Sequence, residues 1–254
     1  MKKSHGFSKA SIIATITALT FVTIAIILVI NANSNATNYS DYDFSSIIAP
    51  DIHNGNIGDH VKGDEDAPVL IFEYADFQCP GCASMNTRIN EAIKKADGKL
   101  AVVYRNYLLS YHRNGTAAAS AAEAAGLQGY WKPYADKLFE NQAEWEYTTG
   151  SERTTLFDKY FIEVTDGKGD LNKFHQDIAS DQVSQKISFD MGIGKRIDIS
   201  ATPAFYIDGQ LIPWTSKDGG KITINGKEFS WDHSLSGAEF TDLLTDIIEA
   251  KTSH

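Results

Sequence analysis

Cysteine is scarce in this chain: 254 residues hold two, Cys79 and Cys82. That rules out a disulfide-rich scaffold. It also weighs against a structural zinc site, which wants four ligands, because there is no second C-x-x-C and no H-x₃-H pair. The histidines His60, His112 and His175 are scattered along the chain. Basic residues are the second shortage, with 23 Lys and Arg against 33 Asp and Glu and a net charge of −10. Taking away the +3 of Lys2, Lys3 and Lys9 leaves −13 for the rest of the chain. No basic stripe or aromatic-interleaved patch offsets it, which leaves nucleic acid out as a partner. Residues 11–30 lack charge altogether, and no cysteine follows them closely, which excludes a lipoprotein anchor.

What the chain does have is placed tightly. Residues 69–74 are apolar and β-favouring and predict a buried strand. A helix is predicted from about Cys79 through Ala83, Met85, Ile89 and Ile93, so both cysteines fall at the strand-to-helix junction. C-x-x-C at such a junction signals redox chemistry. The first helical turn has unpaired N–H groups and the positive end of the helix dipole, so a thiolate at Cys79 is stabilised there. Cys82, one turn on, is within bridging reach, and Pro80 suits a first turn where no N–H is needed. Two other readings of the pair remain: a structural disulfide, which would close too short a loop to stabilise much, and two buried free thiols. Cys, Pro and Gly at a helix start make a poor core stretch, and the redox reading is preferred.

Residues 100–109 predict a second central strand. A mostly helical region follows, over 116–125, 130–142, 154–161, 171–179 and 181–191, with Trp131 and Trp145 as packing residues. Pro203 precedes another strand, 204–207; Asp208-Gly209 turns it back into 210–212, and Asn225-Gly226 marks a second hairpin. Ser236 is the N-cap of a last helix whose apolar face carries Phe240, Leu243, Leu244, Ile247 and Ile248. The expected architecture is α/β, with a helical insertion at about 113–192 inside a folded domain of residues 58–254.

At the start, residues 1–10 read as a basic cytoplasmic tail and 11–30 as a transmembrane signal anchor, twenty residues being enough to span a bilayer. The alternative is a cleaved signal peptide using the small residues Ala32, Ser34 and Ala36, which would leave a secreted or periplasmic protein. Residues 31–57 read as a polar extracytoplasmic tether. His53, His60 and His112 read as surface residues, and Asp76 as a turn or capping residue.

Several spaced motifs agree with one known family. Gly63-Asp-Glu-Asp-Ala-Pro-Val69 and Phe72-Glu-Tyr-Ala-Asp-Phe-Gln-Cys-Pro-Gly-Cys82 resemble the opening of a DsbA-like thioredoxin-fold domain. Val103-Tyr-Arg-Asn-Tyr-Leu-Leu109, residues 117–131 and Ile199-Ser-Ala-Thr-Pro-Ala-Phe-Tyr-Ile-Asp-Gly209 resemble its second strand, helical insertion and cis-proline loop. The resemblance implies a thioredoxin-like fold with the helices inserted between βαβ and ββα halves. It implies an extracytoplasmic thiol–disulfide oxidoreductase that donates a Cys79–Cys82 disulfide to thiols of unfolded exported proteins. Cys79 is then the attacked sulfur, Cys82 the resolving thiol and Glu73 an acidic residue beneath the disulfide. Thr202 and Pro203, with Pro80 and Gly81, would meet substrate. No organic cofactor or metal is needed; a quinone-linked membrane protein would reoxidise the enzyme, which is expected to be a monomer. The Pro-Gly dipeptide lacks the histidine of the family's best-known strong oxidant, so a reductase or isomerase of the same fold stays open. The lack of an N-terminal dimerisation domain speaks against the isomerase. A surface binding or chaperone module is the rival from another class.

Overall fold

The computed structural model describes residues 37–253. The chain divides into two units, Met1–Asn38 and Tyr39–His254, and the strands and helices of the described residues all belong to the second. The expected basic tail, membrane anchor and first part of the tether lie outside the described residues. Among the described residues, no helix is long and apolar enough to cross a membrane.

The first elements are strand β1 (His60–Gly63), strand β2 (Val69–Ala75), helix α1 (Pro80–Lys95) and strand β3 (Leu100–Asn106). Helices α2 (Gly115–Gly126), α3 (Trp131–Glu140), α4 (Gln142–Trp145), α5 (Gly150–Val164), α6 (Leu171–Ile178) and α7 (Asp181–Arg196) follow without an intervening strand. The chain then returns to strands β4 (Ala204–Ile207), β5 (Gln210–Ile212), β6 (Gly220–Ile224) and β7 (Lys227–Trp231), and ends on helix α8 (Gly237–Thr252). The main sheet has the order β1-β3-β2-β4-β5, while β6 and β7 form a hairpin of their own. Strands β2 and β3 pair in parallel across α1, and β1, β4 and β5 are antiparallel to their neighbours. This is a βαβ half and a ββα half with six helices inserted between them.

The central strands are continuous apolar runs because both faces of the sheet are covered. Against one face, Ile71, Val102 and Phe205 pack with Met85 and Ile89 of α1 and with Phe240 and Leu244 of α8. On the other face, Tyr74, Val103 and Tyr206 pack with Phe189 and Ile193 of α7. The alanines of α2 are buried almost without exception, and their small side chains let this helix lie close under Trp131, Tyr134 and Phe174. Turn chemistry places the hairpins. Asp208 and Gly209 both have positive φ (48° and 73°), as do Asn225 and Gly226 (50° and 77°), the backbone a tight two-residue hairpin needs. A capping box between Ser236 and Glu239 starts α8.

The tether expected over 31–57 is corrected from Tyr39 onward, where the chain is folded onto the domain. Arg105 of β3 is fully buried, and its guanidinium donates to Phe44 O (2.7 Å) and Ser46 O (2.8 Å) while pairing with Asp59 at 2.7 Å. Tyr42 packs edge-on against Phe189 at 4.7 Å between ring centres, and Ile48 is buried. A polar, irregular segment is held because its carbonyls solvate a buried cation, a role that polar composition does not reveal.

Candidate active site

The loop from Phe77 to Cys79 is pinned from several sides. Cys79 N donates to Asp76 O (2.9 Å), and Gln142 Nε2 donates to Phe77 O (2.6 Å) and Cys79 O (3.1 Å). Cys79 is the N-cap of α1 and Pro80 its first residue, so the Cys79 sulfur sits where the helix offers free N–H groups. Its sulfur lies 3.3 Å from Thr202 O. The dithiol form is the one described, with both cysteines free.

The two thiols meet opposite surroundings. A hydrogen bond from the Cys82 thiol, with others from the N–H groups of Cys82 and Gly81, pulls Cys79 down to about 5 despite its burial. Burial pushes Cys82 well above the ordinary thiol value, and the Cys79 sulfur and the Glu73 carboxylate push it the same way. Cys79 keeps a small exposed surface (7%), whereas Cys82 has none. Glu73 lies on central strand β2 opposite Tyr104 of β3 and Phe205 of β4. It is buried, and burial lifts its carboxyl to about 7 against the charge of Lys62. Three acids of graded strength therefore stand together: an ionised Cys79, a Glu73 that titrates near neutrality and a protonated Cys82.

The Thr202–Pro203 peptide is cis. Gly81 faces it so closely that a Cβ there would lie 3.2 Å from Pro203 Cδ and 3.6 Å from Cys79 Sγ. A cleft lined by Pro203, Tyr206, Leu211, Ile212 and Trp214 runs beside this loop. The structure thus brings Cys79, Pro80, Gly81, Cys82, Thr202 and Pro203 to one end of the sheet, with Glu73 beneath.

Two histidines depart from expectation. His112 is not a surface residue: its Nδ1 lies 2.8 Å from Asp76 Oδ2, and its side chain is only 11% exposed. Asp76 is buried and also accepts from Gln78 N and Leu109 N (both 2.9 Å), so it fixes the active loop to the end of β3. His60 stacks on Trp131 (4.2 Å, 7°) and bonds to Glu123 at 2.7 Å. Among the described residues, no three His, Cys, Asp or Glu side chains are grouped to hold a metal ion. Sequence reasoning missed Gln142, Lys62 and Asp136. Gln142 reaches Phe77 and Cys79, more than 60 positions back, and Lys62 and Asp136 are 74 positions apart, so no local spacing marks the three.

The family model described as Thioredoxin matches residues 55–237. The chain belongs to the thioredoxin family. Solved structures place its fold among the DsbA-like members. BdbD from Bacillus subtilis in its oxidised form is 21% identical with a TM-score of 0.57, covering 82% of this chain and 98% of that one. Wolbachia pipientis alpha-DsbA1 is 24% identical with a TM-score of 0.55, covering 76% and 92%. A curated relative, the Na(+)/H(+) antiporter NhaA 1 of Mycolicibacterium vanbaalenii, is 33% identical over 154 residues, which are 59% of this chain and 23% of that protein. The chain spans about a quarter of the length of the curated relatives it matches.

Proposed function

We propose that this thioredoxin-family thiol–disulfide oxidoreductase works outside the cytoplasm as a disulfide donor to exported proteins, held at the membrane by residues 11–30. The observation that carries the reading is the contrast between the two thiols. Cys79 is ionised well below neutral pH at the N-terminus of α1, while Cys82 is buried and protonated. A stabilised Cys79 thiolate favours the reduced form, and a pair whose reduced form is favoured gives its disulfide away.

In the oxidised enzyme a substrate thiolate attacks Cys79 Sγ. The Cys79–Cys82 bond breaks, and the Cys82 sulfur leaves with the electron pair and takes a proton from Glu73. A second substrate thiolate then attacks the substrate sulfur of the mixed disulfide. A substrate disulfide forms, and Cys79 leaves as the thiolate its surroundings stabilise. The backbone of Thr202, beside the sulfur, pairs with the extended substrate as an added strand would, and the cleft past Pro203 takes the neighbouring side chains. Pro80 and Gly81 flank the approach. Two electrons now rest on the enzyme, and a quinone-linked membrane protein removes them. The enzyme works as a monomer, without an organic cofactor.

The test is a single turnover. Oxidised enzyme mixed with an equimolar reduced, unfolded protein should form substrate disulfides while both enzyme thiols become free to label. Enzyme that stays oxidised while the substrate stays reduced would contradict the reading.

A further inference from the structure

The active loop has two flanks. One is the cleft past Pro203. On the other, a cavity of about 420 Å³ opens beside Gln78, the residue before Cys79, and Tyr111, Arg113, Asn114, Glu146 and Tyr147 line it. The two depressions share no residue. Three segments meet at the second: the active loop, the loop from β3 to α2 and the loop from α4 to α5.

Its floor is held by the protein's own hydrogen bonds. Gln78 is buried; its Oε1 accepts from Asn114 N (2.6 Å) and its Nε2 donates to Glu146 O (2.8 Å). Asn114 Nδ2 donates to the carbonyls of Trp145 (3.0 Å), Glu146 (3.1 Å) and Thr148 (2.9 Å), and its Oδ1 accepts from Arg153 at 2.6 Å. Both amides are satisfied inside the fold, so the three segments are fixed together and the walls are left to meet a ligand.

The walls are rings. Tyr111 is 73% exposed and Tyr147 84%, two of the five large apolar side chains that face solvent among the described residues. Scattered singly, such rings need no explanation; these two stand on different loops around one cavity, which marks a contact site. Arg113 and Glu146 put one charge of each sign beside them, and among the described residues neither makes an ion pair. An acidic or basic side chain entering here would meet attraction from one and repulsion from the other. An aromatic ring meets no such conflict: it packs against both tyrosines and is attracted by the guanidinium.

We propose that this cavity is a specificity subsite, which takes an aromatic side chain of the protein substrate within two residues of the reactive cysteine. The proposal rests on the donor reading. Its reach follows from the chain, because Gln78 adjoins Cys79 and an extended substrate advances about 3.3–3.6 Å per residue.

Reduced peptides with two cysteines, alike except for the residue placed two positions before or two positions after the first cysteine, test this against the oxidised full chain. A peptide thiolate attacks Cys79 Sγ, and Cys82 leaves with the electron pair and is protonated. The second peptide thiolate attacks the peptide sulfur of the mixed disulfide, and Cys79 leaves as a thiolate. A peptide disulfide has formed, and two electrons have passed to the enzyme. Rates at low peptide concentration are read by acid quench and chromatography. In at least one placement, tyrosine or phenylalanine should react roughly tenfold faster than alanine, with glutamate and lysine close to alanine. Removing both rings, Tyr111→Ser with Tyr147→Ala, should bring the aromatic and alanine peptides to the same rate. Tyr111→Phe with Tyr147→Phe keeps the rings and should keep the preference. A merely loosened fold would slow every peptide alike and leave the ratio standing. No aromatic preference, a preference for a charged residue, or a preference that survives the loss of both rings would overturn the proposal. The donor reading fails differently. If no peptide is oxidised, that reading falls and the subsite with it; if all are oxidised equally, the donor stands and the subsite is rejected.

Discussion

A sulfur at the N-cap of α1 faces the N–H groups of Gly81 and Cys82, while the sulfur one turn further in is enclosed on all sides. Alkylation of the reduced protein by iodoacetamide should therefore label Cys79 first, with a rate that rises through a midpoint near 5. Labelling that begins at Cys82 would contradict the order. On the donor reading, the same thiolate should make the reduced form more stable than the oxidised one. Cys79 has a depressed value, so this advantage is complete above the unfolded thiol value of about 8.5, shrinks as pH falls and is gone below about 5. Urea unfolding of both forms across that window should show the gap closing on the acid side. Cys82→Ser should accumulate mixed disulfides with substrate on Cys79, and Cys79→Ser should form none; non-reducing gels read both. The pair was legible in the sequence because C-x-x-C, Pro80 and the helix start are neighbours in the chain. His112 was not, because its partner Asp76 is 36 residues away and only the fold brings them together.

Elements differ in how openly the chain announces them. The hairpins at Asp208-Gly209 and Asn225-Gly226 were readable because a two-residue turn with positive φ at both positions has few sequence solutions. The helical insertion was readable from apolar spacing, and the structure extends it to Gly115–Arg196. Strand β1 and the segment before it were not readable. The strand is four residues long with a mixed pattern, and residues 39–57 are ordered by a cation on β3 rather than by their own apolar face. That cation gives the element its test. The side chains of Asp59 and Arg105 are both buried and 2.7 Å apart. Asp59→Asn leaves the guanidinium short of its counter-charge and should cost about 3–5 kcal/mol in urea unfolding. A loss below about 1 kcal/mol would mean that the carbonyls of Phe44 and Ser46 suffice.

As a whole, the molecule sets a rigid sheet end, a helix N-terminus and the Thr202–Pro203 loop around one reactive sulfur, and the insertion supplies Gln142 to brace the loop. The membrane-proximal part of the proposal has its own check. If residues 11–30 anchor the protein, the full chain should sediment with membranes and resist an alkaline carbonate wash; a soluble product starting within about residues 33–37 would show cleavage instead. Direction of electron flow is the centre of the account, and neither the Pro-Gly dipeptide nor the fold decides it. The equilibrium reduction potential of the Cys79–Cys82 pair against glutathione does so directly. A donor with a stabilised Cys79 thiolate should lie above about −180 mV, on the oxidising side of protein disulfide isomerase. A value near about −270 mV, the range of thioredoxin, would make the protein a reductase and contradict the account.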